Sequence, residues 1–299
     1  MFQIDYMNPF LTIFTPVYNR AYIVEKLYES LCRQSCKDFE WVVVDDGSSD
    51  NIDELMSRFI SEKKIDIKYF KQTNGGKHRA INRGVNEASG KMFFIVDSDD
   101  YLLQEAVSMI KSKFNEIESD STIAGIGFMR CYENGNKIGS KLPFNELCCN
   151  AFHLTYKIKA KGDMAETYKT KILKEFPFPE IKNEKFCPEA LVWYRIANKY
   201  KMLWINQCIY VCEYLKDGLS NSIVKLRRSS PKTSMLFYSE VIKNNYTPFF
   251  LKLKHAINFW RFSFNSEESF YNKLKKIGSW GILFFPFGYV FYKKDQYEK

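Results

Sequence analysis

The chain has 299 residues, 45% of them hydrophobic and 26% charged, the balance of a globular protein with a sizeable core rather than of a disordered or fibrous chain. Its net charge of +9 is concentrated at one end: residues 221–299 hold 14 Lys/Arg against 5 Asp/Glu, a surplus of 9, and residues 1–220 are neutral. That tail also carries 19 of the 50 aromatic residues, so a boundary is expected here, with one domain over 1–220 and an extension over 221–299. The eight cysteines form no CxxC pair and only three histidines accompany them, which argues against structural zinc and for reduced thiols. The opening "MFQIDYMNPF" lacks the basic start and long apolar run of a signal peptide. A cytoplasmic location is the expectation.

In chain order, "LTIFT" (11–15) is a short apolar strand that "PVYNR" interrupts. A helix follows with Ile23, Leu27, Tyr28 and Leu31 on one face. "EWVVVDD" (40–46) is a second buried strand closed by the turn "GSSD", and a helix over 51–62 begins after Asp50, a good N-cap. "IDIKYF" (65–70) is a third strand. "NGGKHRAINRGVNEA" (74–88) opens as a glycine turn and continues as a helix, "KMFFIVD" is the fourth strand, and residues 103–118 form the next helix. This alternation implies βαβ units with right-handed crossovers, an α/β fold built on a mostly parallel sheet flanked by helices. Ligands bind beyond the carboxyl ends of strands in such sheets. Thr15, Asp45, Asp46 and the run Asp97 to Asp100 all fall at those ends and should line one crevice. Further along, Asn134-Gly135 marks a hairpin turn, a helix starts near Pro188, and "KMLWINQCIYVCEYL" (201–215) supplies the last strands.

Three carboxylates, Asp97, Asp99 and Asp100, close the fourth strand. Helix capping by Ser98 or Asp100 would explain one of them. Crowded carboxylates otherwise stay ionised most cheaply around a cation, and a hard divalent ion takes one or two carboxylates plus phosphate oxygens. Metal or nucleotide binding is the reading these residues favour over capping alone.

The segments "TPVYNR", "FEWVVVDDGSSD", "NGGKHRAINRGVNEASG" and "FFIVDSDD", in this order and spacing, resemble glycosyltransferase family 2 enzymes with the GT-A fold. The match is strong over residues 10–110, and residues 161–197 are similar to the family's acceptor-side region. The resemblance implies a metal-dependent, inverting transfer from a nucleotide sugar, a UDP-sugar, to a glycan or lipid-linked acceptor in bacterial cell-surface polysaccharide synthesis. It implies that Asp99 binds Mn²⁺ or Mg²⁺ at the donor diphosphate, while Asp97 contacts the nucleoside side. Asp46 would hold the base or ribose, Pro16 and Tyr18 would pack on the base, and Thr15, Arg20 and Ser98 would complete the donor pocket. Many relatives carry an arginine where this chain has Ile81; Lys77 or His78 at the glycine turn would take over its phosphate contact, a helix N-terminus being a natural anion site. The alternative for Lys77 is a solvated lysine on a cap.

Transfer needs a carboxylate to remove the acceptor hydroxyl proton. The family's Glu-Asp pair before a Trp-containing helix corresponds here to Pro188-Glu189 and Trp193, so Glu189 is the implied base, although Glu stands where Asp is usual. Glu184 and Asp163 are the reserves. Pro and Glu at a helix start are also ordinary capping chemistry. In the tail, Phe250, Leu253, Ile257, Trp260 and Phe264 recur at helical spacing among Lys252, Lys254, His255 and Arg261, while "WGILFFPFGYVFY" (280–292) is too short to span a bilayer. A segment lying on the inner face of the cell membrane suits both stretches; helices packed on protein are the alternative, and nucleic acid is not an expected partner. Two other classes stay open: a non-catalytic nucleotide-sugar or glycan-binding protein, and a nucleotidyltransferase.

Overall fold

The computed structural model describes residues 8–212 and 222–297; the boundary expected between residues 220 and 221 lies outside them. The chain forms two compact units, one of Met1–Gly75, Arg79–Pro177 and Ile196–Leu215, the other of Gly76–His78, Phe178–Arg195 and Lys216–Lys299.

The first unit is an α/β fold on a nine-stranded sheet. In chain order the elements are β1 (Leu11–Val17), α1 (Val24–Cys32), β2 (Phe39–Asp45), α2 (Ile52–Glu62), β3 (Asp66–Lys71), α3 (Lys77–Glu87), β4 (Met92–Ile95), β5 (Tyr101–Leu102), α4 (Ala106–Ile117), β6 (Ile123–Cys131), β7 (Glu146–Cys149), β8 (Met164–Lys169), α5 (Thr170–Glu175), α6 (Ala190–Ala197) and β9 (Lys201–Val211), of which Lys77 and His78 of α3 and the first six residues of α6 belong to the second unit. The strand order is β3-β2-β1-β4-β8-β6-β9-β5, with β7 also on β9. β3, β2, β1 and β4 are parallel, as helical crossovers require. β8 then joins β4 and β6 antiparallel, so the sheet is mixed beyond the βαβ half. Strand β2 is buried along its whole length, and Tyr28, Trp41 and Phe59 stack between sheet and helices.

Pro16 does not stop β1. The strand continues to Val17 because β4 pairs with β1 only as far as Phe14↔Ile95. Past that point β1 is bordered by β2 alone, and an edge tolerates a residue without N–H. The fourth helix starts later than the sequence pattern predicts, at Ala106, because Tyr101 and Leu102 pair with β9 as a short strand.

The second unit is helical: α7 (Ile223–Ser229), α8 (Pro231–Lys243), α9 (Phe249–Ser263), α10 (Phe270–Ile277), a 3-10 turn (Ser279–Phe284) and α11 (Phe285–Tyr297). Its core is aromatic. Phe259, Trp260 and Phe262 of α9 are fully buried, Tyr238 of α8 stacks on Phe262, and the Trp260 indole N–H donates to the Gly281 carbonyl at 2.7 Å. The aromatic face of α9 is thus consumed by its own unit, leaving Phe249 and Phe250 exposed at its start. Arg261 is likewise held internally, in a two-pronged ion pair with buried Asp295. Among the described residues no helix is long and apolar enough to cross a membrane.

Candidate active site

The carboxyl ends of β1, β2 and β4 lie side by side in the first unit. Val17 is in register with Asp45, the Asp46 N–H donates to Val17 O at 2.8 Å, and the Val96 N–H donates to Phe14 O at 2.9 Å. The loops that follow β1 and β2 are laced together. The Asn19 N–H donates to Ser48 Oγ, the Ser49 N–H to Asn19 Oδ1 and the Ala21 N–H to Asp50 Oδ2, each at 2.8 Å. Asp50 is therefore not the cap expected for α2, whose N-cap position is Asn51; its carboxylate ties down the other loop instead.

Asp46 is buried and oriented from three sides. Oδ1 accepts from Gln72 Nε2 and from the Gly75 N–H, both at 2.8 Å, and Oδ2 accepts from Asn74 Nδ2 at 3.2 Å. Around it the expected donor-pocket residues differ in access. Thr15 is fully buried and its hydroxyl accepts from the Trp41 indole at 2.9 Å. Pro16 and Arg20 are half-buried and Tyr18 is exposed; Arg20 donates to the Tyr22 hydroxyl.

The acidic run at the end of β4 is a tight turn, the Asp100 N–H donating to Asp97 O at 3.2 Å. Its three carboxylates have separate environments. Asp100 is buried and accepts from the Tyr210 hydroxyl at 2.6 Å, while the same hydroxyl accepts from the Asp97 N–H at 3.1 Å. Burial raises the Tyr210 phenol far above its ordinary pKa, with the Arg130 charge opposing and Asp97 and Asp100 adding to it; it is a neutral donor. The Arg130 guanidinium lies 4.4 Å from the centre of that ring. Burial works against its charge, yet the neighbouring Asp97 and Asp100 hold its pKa above the ordinary value. So a phenol and a guanidinium account for part of the crowded negative charge that pointed to a cation. Neither Asp100 nor Ser98 caps a helix, since α4 begins at Ala106 and has no side-chain cap.

Asp97 and Asp99 are half-buried and Ser98 is buried. Among the described residues there is no group of three His, Cys, Asp or Glu placed to hold a metal. A donor set of one or two carboxylates is not a metal cage, but it fits Mg²⁺ or Mn²⁺, whose remaining ligands are phosphate and water oxygens.

In the second unit, Gly76 has φ +96°, and a Cβ there would stand 1.8 Å from the Lys185 carbonyl oxygen. Only glycine allows this turn to touch the backbone before α6. The contact sets Lys77 beside that segment, with its ammonium 2.8 Å from the Glu189 carboxylate. Glu189 sits half-buried at the start of α6, its carbonyl accepting from the Val192 and Trp193 N–H groups. His78 is buried. Cys187, two residues earlier, is a neutral thiol, pushed by burial up to about 12.

The two reserve carboxylates are placed differently. Glu184 is buried and accepts from the N–H groups of Lys232 and Thr233 at 2.7 and 2.8 Å and from the Thr233 hydroxyl at 2.6 Å. It caps the start of α8, a structural role that competes with that of a base. Asp163 is exposed, next to β8 in the first unit. Tyr210, Arg130, Gln72 and Asn74 belong to the site although no motif in the sequence marks them. Only Gln72 and Asn74 carry a local signal, their place beside the glycine turn.

A family model described as Glycosyl transferase family 2 matches residues 12–171, over half of the chain. Glycosyltransferase GlyA of Streptococcus pneumoniae is 37% identical over 222 residues, covering 70% of this chain and 31% of its own length. A Campylobacter jejuni protein named GalNAc(5)-diNAcBac-PP-undecaprenol beta-1,3-glucosyltransferase is 37% identical over 216 residues, 68% of this chain and 64% of its own. The chain thus spans about a third of the first of these relatives and somewhat under two thirds of the second. Among solved structures, S. aureus TarS in complex with UDP-GlcNAc aligns with a TM-score of 0.64 at 18% identity, covering 92% of this chain and 83% of that one. A mannosyltransferase from Pyrobaculum calidifontis in complex with GDP-Man and Mn²⁺ aligns at 0.56 and 15%, covering 96% and 84%. At these identities the two structures speak to the fold.

Proposed function

The chain belongs to glycosyl transferase family 2, and from that premise we propose that it transfers a sugar, with inversion, from a UDP-sugar to a hydroxyl of a glycan or lipid-linked acceptor in cell-surface polysaccharide synthesis. The observation that carries this reading is the meeting of Asp46 and the Asp97–Asp99 turn at adjacent carboxyl ends of β2, β1 and β4. The names of the relatives and the ligands of the two structural neighbours agree with the class of reaction.

In this reading Asp46, its carboxylate fixed by Gln72, Asn74 and Gly75, accepts from the base or ribose. Pro16 and Tyr18 give the base a flat surface, and Thr15, Arg20 and Ser98 complete the pocket. Asp97 would contact the nucleoside side and Asp99 would hold Mn²⁺ or Mg²⁺. A divalent cation bound there would supply charge neutralisation for the departing diphosphate. Lys77 and His78 add to the anion contact at the start of α3. Glu189 takes the proton of the acceptor hydroxyl as the new oxygen–carbon bond forms and the bond to the diphosphate breaks, its electron pair leaving with the nucleotide. Lys77, at 2.8 Å, orients that carboxylate between turnovers. The basic, aromatic tail would hold the protein at the inner face of the cell membrane.

Two variants test this. Glu189→Gln should lower UDP release in the presence of acceptor by about 10²–10⁴ with donor affinity nearly unchanged; near-normal turnover removes Glu189 from the mechanism. Asp99→Asn should weaken Mn²⁺-dependent UDP binding measured by calorimetry, and unchanged metal-dependent affinity would remove Asp99 as the metal ligand.

A further inference from the structure

Helix α11 is apolar on two sides, and only one of them is covered. Its inner side meets α9 at Gly288, where a Cβ would lie 2.3 Å from Trp260 Cβ and about 3 Å from the backbone of Arg261 and Ile257. The absent side chain lets the two helices touch backbone to backbone. Phe285 against Trp260 and Tyr292 against Phe264 extend the contact, and buried Asp295 closes it on Arg261. On the other side, Leu283 of the 3-10 turn is 68% exposed, followed by Phe287 at 57% and Val290 at 65%, while Phe291, 43% exposed, marks the edge where its ring meets the Arg261 guanidinium. Spacings of three and four align these side chains along the helix. An exposed apolar stripe of this length marks an interaction surface.

Charge identifies the partner. Lys293 and Lys294 follow the stripe and are exposed, as is Lys275 on α10. The acid that α11 carries, Asp295, is turned inward onto Arg261, so the outer face keeps its lysines and loses its negative charge. An apolar stripe bordered by ammonium groups complements an anionic bilayer, with rings and aliphatic chains at the acyl boundary and lysines among the headgroups. A second copy is a poorer match, because its identical face brings no negative charge to meet these lysines. With 13 residues the helix is about 20 Å long, so it would lie along the surface.

We infer that the outer face of the 3-10 turn and α11, through Leu283, Phe287 and Val290, docks on an anionic lipid surface. This rests on the membrane-surface reading of the tail and narrows it from two stretches to one: α9 is packed, and α11 with the 3-10 turn makes the contact. The test is flotation of the full chain with phosphatidylglycerol-containing vesicles and with neutral phosphatidylcholine vesicles. The full chain should float with the anionic vesicles. A Leu283→Ser/Phe287→Ser/Val290→Ser variant should lose at least tenfold in partitioning, with its thermal midpoint unchanged. Lys293→Gln/Lys294→Gln should lose about tenfold and much of its salt sensitivity, which keeps the test decisive if the serine variant fails to fold. Lys252→Gln/Lys254→Gln on α9 should change little. If the full chain floats and neither α11 variant weakens it, this face is wrong while the membrane reading stands. If the full chain binds neither vesicle, both fall. If sedimentation shows a dimer that the serine variant dissociates, a second copy covers the face and the lipid assignment is overturned.

Discussion

Replacing Tyr210 by Phe removes one oxygen from the centre of the β4 turn. That hydroxyl donates to Asp100 Oδ2 at 2.6 Å and accepts from the Asp97 N–H at 3.1 Å. A hydrogen bond to a charged group contributes about 1.5–3 kcal/mol and a neutral one about 0.5–1.5, so the variant should lose about 2–4 kcal/mol. Asp97 and Asp100 have further interactions, which favours the lower end, and the thermal midpoint should fall by several degrees. The loss also loosens the turn that presents Asp99, so Mn²⁺-dependent UDP affinity should fall with it. Because the phenol acts through Asp100, the effects of Tyr210→Phe and Asp100→Asn should not add, and a double-mutant cycle should show a coupling of about 1–2 kcal/mol. Calorimetry and thermal denaturation on the four proteins measure all of this. Additive effects, or a Tyr210→Phe protein with unchanged melting and nucleotide affinity, would refute the claim that Tyr210 holds the turn.

Glu184→Gln should cost about 2–3 kcal/mol, since it weakens three bonds at the start of α8, while turnover per folded molecule is largely retained; a loss of turnover without a loss of stability would favour Glu184 as the base. His255, which burial aided by the charges of Lys254 and Arg227 depresses from 6.5 to about 4, stays neutral in the folded state while the unfolded chain binds a proton. Stability should therefore decline as pH falls from about 6.5 towards 4, by at most ~3 kcal/mol, and His255→Gln should flatten that part of the profile in denaturant titrations. A wild-type profile flat across this window would contradict the depressed value.

The βαβ half was legible because its signals are local. Apolar runs of strand length end in turn residues, and the period of the pattern changes from strand to helix within a few positions, so Asp46 and Asp97–Asp100 could be assigned to strand ends before any contact was known. The same local logic failed where a polar group had more than one partner within reach. Asp50 has good N-cap chemistry, yet it bonds to the Ala21 N–H, 29 positions earlier.

What the chain by itself determined is the order of strands and helices and the chemistry at the strand ends, since both follow from the spacing of side chains along the backbone. The tertiary structure decided how that chemistry is divided. Asp100 takes a hydroxyl from 110 positions away, Glu184 takes the start of a helix 48 positions on, and Lys77 meets Glu189 through a glycine contact that no spacing shows. In the tail, composition announced an aromatic, basic segment, but packing chose which helix is core and which is surface: α9 spends its rings on α8 and α11, and α11 keeps an apolar face outward. A carboxylate or an aromatic ring has the same intrinsic preference wherever it stands. Its role depends on which distant group the topology brings within 3 Å, and that is a property of the folded chain.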